Sequence, residues 1–289
     1  MISPDRAREL HPLASFDDAK VVAYLPSDGY IDPTGVANAL AKGAVAAGAE
    51  IRRNTRVHAI ERAGGRWLVA TSKGEIRAEI VVNAAGQWAR QVGRLVGVEL
   101  PIVPLEHHYL ITEPLAAVQQ LERELPVLRD PDSSYYVREE GGGLLVGPFE
   151  RNTVAWAVDA IPADFHSSLL EPALERLEES LAGCARRIPV FADAPIRRIV
   201  NGPDGYTPDG HCLMGPVPGL EGFYVASGCC VGGLSLSPAA GRALADLILD
   251  GKSEPDLASL SVERFRGWAE RPVELTATCV ERYGRKYLK

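Results

Sequence analysis

One stretch constrains this chain more than any other: Phe223 to Gly251, FYVASGCCVGGLSLSPAAGRALADLILDG. Phe223, Tyr224, Val225 and Ala226 read as a short buried strand, and Gly228, Gly232 and Gly233 then supply backbone freedom where a ligand can come close. Ser237 has the side chain of an N-cap and Pro238 the fixed φ of a first helical position. From there Ala240, Ala243, Leu244, Leu247 and Ile248 keep the three-and-four spacing of one buried face until Gly251 ends it. A strand that feeds glycines into a helix start gathers unpaired amides at the positive end of the helix dipole, which suits negative charge. The same pattern also fits a tight connection that binds nothing, and the turn alone names no anion.

Upstream, DRARELHPL predicts a short helix before a Pro-marked turn, and VVAYLPSDGYIDPTGVANALAKGAVAAGAEI predicts a strand, a turn at Ser27 to Gly29 and a helix. Asp32 caps that helix, Pro33 opens it, Val36, Ala39, Leu40, Ala44 and Ala47 line its buried face, and Gly48 stops it. From Glu50 to Gly86 the period changes to two, with strands expected near Ile51, Val57 to Ile60, Trp67 to Thr71 and Ile76 to Asn83. A helix followed by such strands predicts a parallel sheet with a small antiparallel insert. EIVVNAAGQWARQVGRLVG then gives a second strand, turn and helix, with Ala84, Ala85 and Gly86 small enough for a close approach.

After Leu100 the strands lengthen, around Ile102 to Thr112, Ser134 to Arg138 and Leu144 to Phe149, with glycines 141–143 as a hairpin turn. A helix over 172–187 and the turn-rich NGPDGYTPDG lead back to the opening strand and helix. Residues 99–200 are therefore inserted between two halves of another unit. The charged tail after Gly251 predicts partly helical structure at the surface.

With 289 residues and 46% hydrophobic composition, the chain can bury a full core. A net charge of −7 without a basic stripe argues against a nucleic-acid or anionic-membrane partner. The sequence has no apolar run of about 18 residues and no secretory signal at its start, so a cytoplasmic compartment is expected. Cys184, Cys212, Cys229, Cys230 and Cys279 show no C-x-x-C pairing and indicate neither a disulfide framework nor a zinc site, so no metal is expected. Cys229 and Cys230 read as small residues packed in the glycine turn.

SDGYIDPTGV at 27–36, VVNAAGQWA at 81–89, VPLEHHYLIT at 103–112, LPVLRDPDSSYYVREEGGGLLVGPFE at 125–150 and YTPDGHCLMGP with the closing glycine turn together carry a resemblance. In these stretches the chain resembles the FAD-dependent amine oxidoreductases of the D-amino-acid oxidase superfamily, and within it the dimethylglycine and sarcosine dehydrogenases and oxidases. The resemblance implies an α/β fold of α+β character. A partial FAD-binding Rossmann-like domain would span 1–98 and 201–289, with an antiparallel-sheet substrate domain inserted at 99–200. It departs from the family at one point, since the G-x-G-x-x-G of the pyrophosphate-binding βαβ unit occurs nowhere in the sequence. Three explanations stay open: a portion of a longer protein, a unit supplied by another chain, or a unit lost.

The family oxidises an N-methyl amine by hydride transfer to FAD, and reduced flavin gains negative charge on one edge. The resemblance therefore implies cofactor contacts at Gly228, Val231, Gly232, Gly233, Leu234 and Ser235, and also at Val57, Ala85 and Gly86. It implies catalytic roles for His107 and Tyr136, and substrate contacts for Tyr109 and Arg138. A neutral imidazole at His107 would accept the proton of the amine, and Arg138 would clamp a carboxylate. Each has a plainer reading. His107 and His108 also fit as ordinary strand residues, Arg138 as an ion-pair partner of Glu139 or Glu140, and Val57, Ala85 and Gly86 as core packing. Arg197 and Arg198 are rival clamps, and Tyr206, Thr207 and Asp209 either close over the flavin or form a turn.

The implied reaction is oxidative N-demethylation of a small N-methyl amino acid such as dimethylglycine or sarcosine, with oxygen or a carrier protein as electron acceptor. Deamination of a D-amino acid or glycine is the alternative within the superfamily. A flavin-free remnant acting as a binding or assembly module is the alternative outside it.

Overall fold

Local capping chemistry fixes the first helices. Ser3 accepts the Arg6 amide at the start of α1 (Pro4–Leu10), and Asp32 accepts the amides of Thr34 and Gly35, at 3.1 and 2.8 Å, at the start of α2 (Pro33–Ala46). The structure, a computed structural model, describes residues 1–166, 168–268 and 270–285. Helix α2 ends as expected, with Gly48 left-handed at φ +96° just beyond it. Its predicted buried face does not form, because Ala39, Leu40, Ala44 and Ala47 are exposed and Val36 is half-buried. Caps and propensity make a helix, whereas burial needs a partner surface, and the described residues supply none. The run from Val21 makes one bridge, Ile2 to Val22, instead of a strand, and Ile51 lies exposed in irregular chain. Neither has a neighbouring strand to pair with among the described residues.

β1 (Val57–Ala63), β2 (Arg66–Thr71) and β3 (Gly74–Ala78) form a three-stranded antiparallel sheet. The run predicted as one strand from Ile76 to Asn83 is cut in two, since β4 (Val81–Asn83) belongs to another sheet. After it, a 3-10 turn at Gly86–Trp88 leads into α3 (Ala89–Arg94). The largest sheet is built of β5 (Val103–Thr112), β6 (Leu128–Asp130), β7 (Tyr135–Glu140), β8 (Gly143–Pro148) and β9 (Ile196–Tyr206), antiparallel in the order β6-β7-β8-β5-β9. Helix α4 (Ala116–Gln119) packs beside β8, and α5 (Glu178–Arg187) follows. The helix expected over 172–187 thus starts late, with Leu174–Arg176 a separate 3-10 turn.

β10 (Leu213–Pro216) runs antiparallel to β11 (Phe223–Ser227), which pairs in parallel with β4. Among the described residues, the parallel sheet expected from the sequence is this one pair of strands. Trp67 of β2 packs edge-on against Phe223 of β11 at 5.5 Å, worth about 0.5–1.5 kcal/mol beyond its area and joining the small sheet to the parallel pair.

β11 leads to α6 (Gly233–Asp250), which begins five residues earlier than its sequence signals suggest and holds Pro238 inside it. A proline there removes the amide that would bond the Leu234 carbonyl, and Ser237, expected as the N-cap, donates its hydroxyl to that carbonyl instead, at 3.0 Å. The predicted face is the one that packs, with Ala243 and Leu244 buried, and Gly251 closes the helix at φ +72°.

The five-stranded sheet has a core on each face. On one side Leu110, Tyr135, Val137, Leu144 and Val146 meet Leu177, Cys184 and Ile188. On the other, Val103, Leu105, Phe149 and Tyr206 meet Leu275, Cys279 and Tyr283 of α7 (Pro272–Gly284). The tail expected at the surface therefore carries a fully buried stripe, and its residues 269 and 286–289 lie outside the described residues. No helix among the described residues is long and apolar enough to cross a membrane.

Candidate functional site

β4 and β11 run in parallel with Asn83 opposite Val225, so the turns that follow them, 84–86 and 228–232, leave the sheet together at its carboxyl end. Asn83 ties the two. Its Nδ2 donates to the Ala89 carbonyl at 2.8 Å, its Oδ1 accepts the Ala85 amide at 3.3 Å, and its backbone carbonyl accepts the Ser227 hydroxyl at 3.1 Å. At Gly228, φ is +67° and a Cβ would lie 2.9 Å from Cγ2 of Thr207, so glycine is required there. Cys230 and Val231 follow at φ 51° and 61°, a conformation that costs on the order of 1–3 kcal/mol for residues with side chains. The end of β9 holds that strained turn: the Val231 amide donates to Oδ2 of Asp204 at 2.6 Å, and the Cys230 amide to the Gly205 carbonyl at 3.3 Å.

The turn delivers α6 with Gly232 as its N-cap and no capping side chain. Among the described residues nothing accepts the amides of Gly233, Leu234 and Ser235. Three free amides at the positive end of an 18-residue helix form a donor set for charge that develops on a ligand, and the anionic edge of a reduced flavin fits that set. Gly86, in the adjacent turn, is left-handed at φ +56°. Val57 and Ala85 pack against the cluster of Leu100, Ile102 and Val225, the core-packing alternative for these two residues.

β9 also connects this turn to the large sheet. Asp204 lies opposite Leu105 and Gly202 opposite His107, so two residues, about 7 Å of strand, separate the anchor of the turn from His107. Cys230 and Val231 share one apolar cluster with Tyr136, Phe149 and Tyr283. The His107 ring lies 4.8 Å from that of Phe149, and the Tyr136 ring 6.2 Å from the same Phe149. Tyr136 lies flat along its neighbour strand because Gly147, directly opposite, has no Cβ, and one there would run into the ring.

β5 pairs with β8 at Leu110 and Ile111 only. Beyond that point the strands part, and 153–156 take over the free edge of β5 through the Leu105–Ala155 bridge and the Glu106 amide to Val154 carbonyl bond of 3.0 Å. Glu150 sits in the split with its side chain fully buried. Its Oε1 lies 2.7 Å from Nδ1 of His108, and its Oε2 accepts the Tyr283 hydroxyl at 2.7 Å. Nδ1 of His107 is 2.6 Å from the same Tyr283 oxygen. Burial pushes the Tyr283 phenol well above its ordinary pKa and the negative Glu150 beside it adds to the shift, so the phenol keeps its proton.

Tyr109 shares the His107 face of β5 and is half-buried opposite Val200. Arg138 does not gather with these residues: it pairs with Glu140 at 2.6 Å and lies 4.4 Å over the Tyr30 ring. Arg197 and Arg198 are exposed at the far end of β9. Thr207 and Asp209 form a closed turn, with the Thr207 hydroxyl donating to the His211 carbonyl at 2.7 Å and Arg264 pairing with Asp209 at 2.8 Å. Four participants have no site role implied by the sequence: Asp204, Phe149, Glu150 and Tyr283. Only Tyr283 had a legible signal, the four-residue spacing of Leu275, Cys279 and Tyr283 that marks a buried helix stripe.

A profile of the family described as FAD dependent oxidoreductase (DAO) matches residues 1–247. The mitochondrial dimethylglycine dehydrogenase of Homo sapiens is 38% identical over 274 residues, which are 93% of this chain and 32% of that protein. The mitochondrial sarcosine dehydrogenase of Mus musculus is 35% identical over 271 residues, 92% of this chain and 29% of that protein. The chain thus spans about a third of the length of these curated relatives. Among solved structures, the L-proline dehydrogenase of P. horikoshii superposes with a TM-score of 0.77 at 28% identity, over 91% of this chain and 68% of that one.

Proposed function

The chain belongs to the FAD dependent oxidoreductase family, and from that premise we propose that it forms the substrate side and the C-terminal flavin side of an enzyme that oxidatively N-demethylates a small N-methyl amino acid. On this reading residues 99–200 contact the substrate, while 1–98 and 201–289 contact FAD. The observation that carries it is the shared cluster of Cys230 and Val231 with Tyr136, Phe149 and Tyr283, which joins the free amides of α6 to the His107 face of the sheet. The names of the dimethylglycine and sarcosine dehydrogenases support the substrate class.

What FAD supplies there when bound is a two-electron acceptor for hydride from the carbon beside the amine nitrogen. The protein has three tasks. The amides of Gly233, Leu234 and Ser235 offer positive charge where negative charge builds, and they need no reorganisation to do so. His107 takes the proton of the ammonium form: the N–H bond breaks, its electron pair stays on nitrogen, and an imidazolium forms beside Tyr283. The rings of Tyr136 and Phe149 orient the amine and keep water from it.

The test supplies the FAD-loaded protein with sarcosine, dimethylglycine, glycine and D-alanine and an electron-accepting dye. Formaldehyde from the two N-methyl substrates is the expected result. Ammonia from glycine or D-alanine without formaldehyde would replace this reading with a deaminating one. A protein that takes up no FAD would replace it with a binding or assembly module.

A further inference from the structure

We infer that Glu150 and Tyr283 form a buried hydrogen-bond chain that fixes which nitrogen of His107 carries the proton, holding it on Nδ1 and making Nε2 the accepting nitrogen of the ring. The inference rests on the reading of His107 as the proton acceptor, while the tautomer itself is a property of this chain alone.

The direction of every bond follows from one end. The Ala173 amide donates to Nε2 of His108 at 3.2 Å, so in that ring Nε2 is the acceptor and Nδ1 bears the hydrogen. Nδ1 of His108 therefore donates to Oε1 of Glu150, 2.7 Å away, and a neutral ring occupies this fully buried position. Glu150 is left as a carboxylate with a second oxygen to satisfy, and a carboxylate only accepts. The phenol supplies the hydrogen across 2.7 Å. Its oxygen, having given its only hydrogen to Glu150, is left to accept, and the atom that faces it at 2.6 Å is Nδ1 of His107. That nitrogen must be the protonated one.

The arrangement is costly to build without a use. A carboxylate with no exposed side-chain surface is expensive to bury unless its oxygens are hydrogen-bonded, and here one donor reaches each oxygen, His108 at Oε1 and Tyr283 at Oε2, with His107 donating in turn to Tyr283. Imidazole side chains in water favour the opposite tautomer, with the hydrogen on Nε2. Reversing that preference presents a lone pair at Nε2, the form that a proton acceptor needs. The same chain stabilises the imidazolium once formed, because Nδ1 keeps its acceptor. Glu150, Tyr283 and His108 are thus positioning residues that act through His107.

The test is the imidazole nitrogen spectrum of the chain labelled with ¹⁵N-histidine at mildly alkaline pH, with the His107 signals assigned by their loss in His107→Gln. The parent should show the Nδ1–H tautomer in at least about tenfold excess, the scale of one hydrogen bond to a charge-linked acceptor. Tyr283→Phe removes the acceptor and should return the ring to Nε2–H. Glu150→Gln keeps the shape but places an amide N–H against the Tyr283 oxygen, which turns the phenol hydrogen toward His107 and should invert the tautomer too. Either inversion in a variant with the parent's thermal melt supports the inference. A parent ring protonated on Nε2, or a ring that neither variant changes, overturns it. The amine assay above fails or succeeds independently, because it reads products and not tautomers.

Discussion

The Tyr283 hydroxyl oxygen stands 2.6 Å from Nδ1 of His107, two residues that lie 176 positions apart in the chain. One comes from α7 and the other from β5 of the five-stranded sheet. Their meeting joins α7 to the five-stranded sheet at the atom on which the proposed chemistry turns. A buried polar contact of this kind is maintained only if both elements are held rigidly, and here Leu275 and Cys279 seat the helix against Val103 and Leu105.

Gly147→Ala should displace Tyr136 and leave the turn before α6 intact. The new Cβ would meet the ring of Tyr136 at its far end, so the ring must swing away from the sheet. Overpacking of this kind costs about 1–3 kcal/mol, and a mispositioned active-site group costs about 100-fold in turnover. Urea unfolding and steady-state kinetics on the FAD-loaded variant measure the two effects. Turnover equal to the parent's would show that Tyr136 does not orient the substrate.

Asp204→Ala should loosen the turn before α6. The variant loses the acceptor of the Val231 amide, a bond to a charged group worth about 1.5–3 kcal/mol, at a residue whose backbone is already strained. FAD affinity should fall by about tenfold or more, and Asp204→Asn, which keeps an acceptor oxygen, should recover part of it. Flavin fluorescence titration reads both variants. Unchanged affinity in Asp204→Ala would separate the turn from cofactor binding.

His11 makes the fold acid-sensitive. Burial lowers its pKa from 6.5 to about 4, with a smaller opposing contribution from a backbone hydrogen bond. Between those values the unfolded chain binds a proton that the folded chain excludes, so stability falls as pH drops from 6.5 toward 4. The loss reaches about 3 kcal/mol at the bottom of the window. The pH dependence of the urea midpoint should flatten over this range in His11→Leu, and equal slopes in parent and variant would show that His11 is not the group responsible.

Much of this architecture is legible in the sequence where the signal is local. Asp32, Pro33 and Gly48 mark both ends of α2, and the glycine turn after Phe223 announces the amide cradle. What fails is whatever depends on a partner. The apolar residues of α2 predict burial that no described surface provides, and Ser237 and Pro238 imitate a helix start inside a helix already begun. The run from Ile76 to Asn83 reads as one strand although its halves join different sheets. In the site, His107 and Tyr136 take their proposed roles from the resemblance of the motifs around them, whereas Glu150 and Tyr283 matter only through each other. Arg138 carries the right charge at the right spacing, but its geometry turns it to Glu140 and Tyr30.

The proposed chemistry needs the α6 amides and the His107 face to serve one bound flavin and its substrate, and anaerobic mixing of the FAD-loaded protein with dimethylglycine tests it most directly. The account predicts that the parent's flavin absorbance bleaches. It also predicts that His107→Gln binds flavin with an unchanged spectrum and bleaches at least about 100-fold more slowly, the scale of a lost general base. A parent whose bound flavin stays oxidised, or a His107→Gln variant that bleaches at the parent's rate, would contradict it.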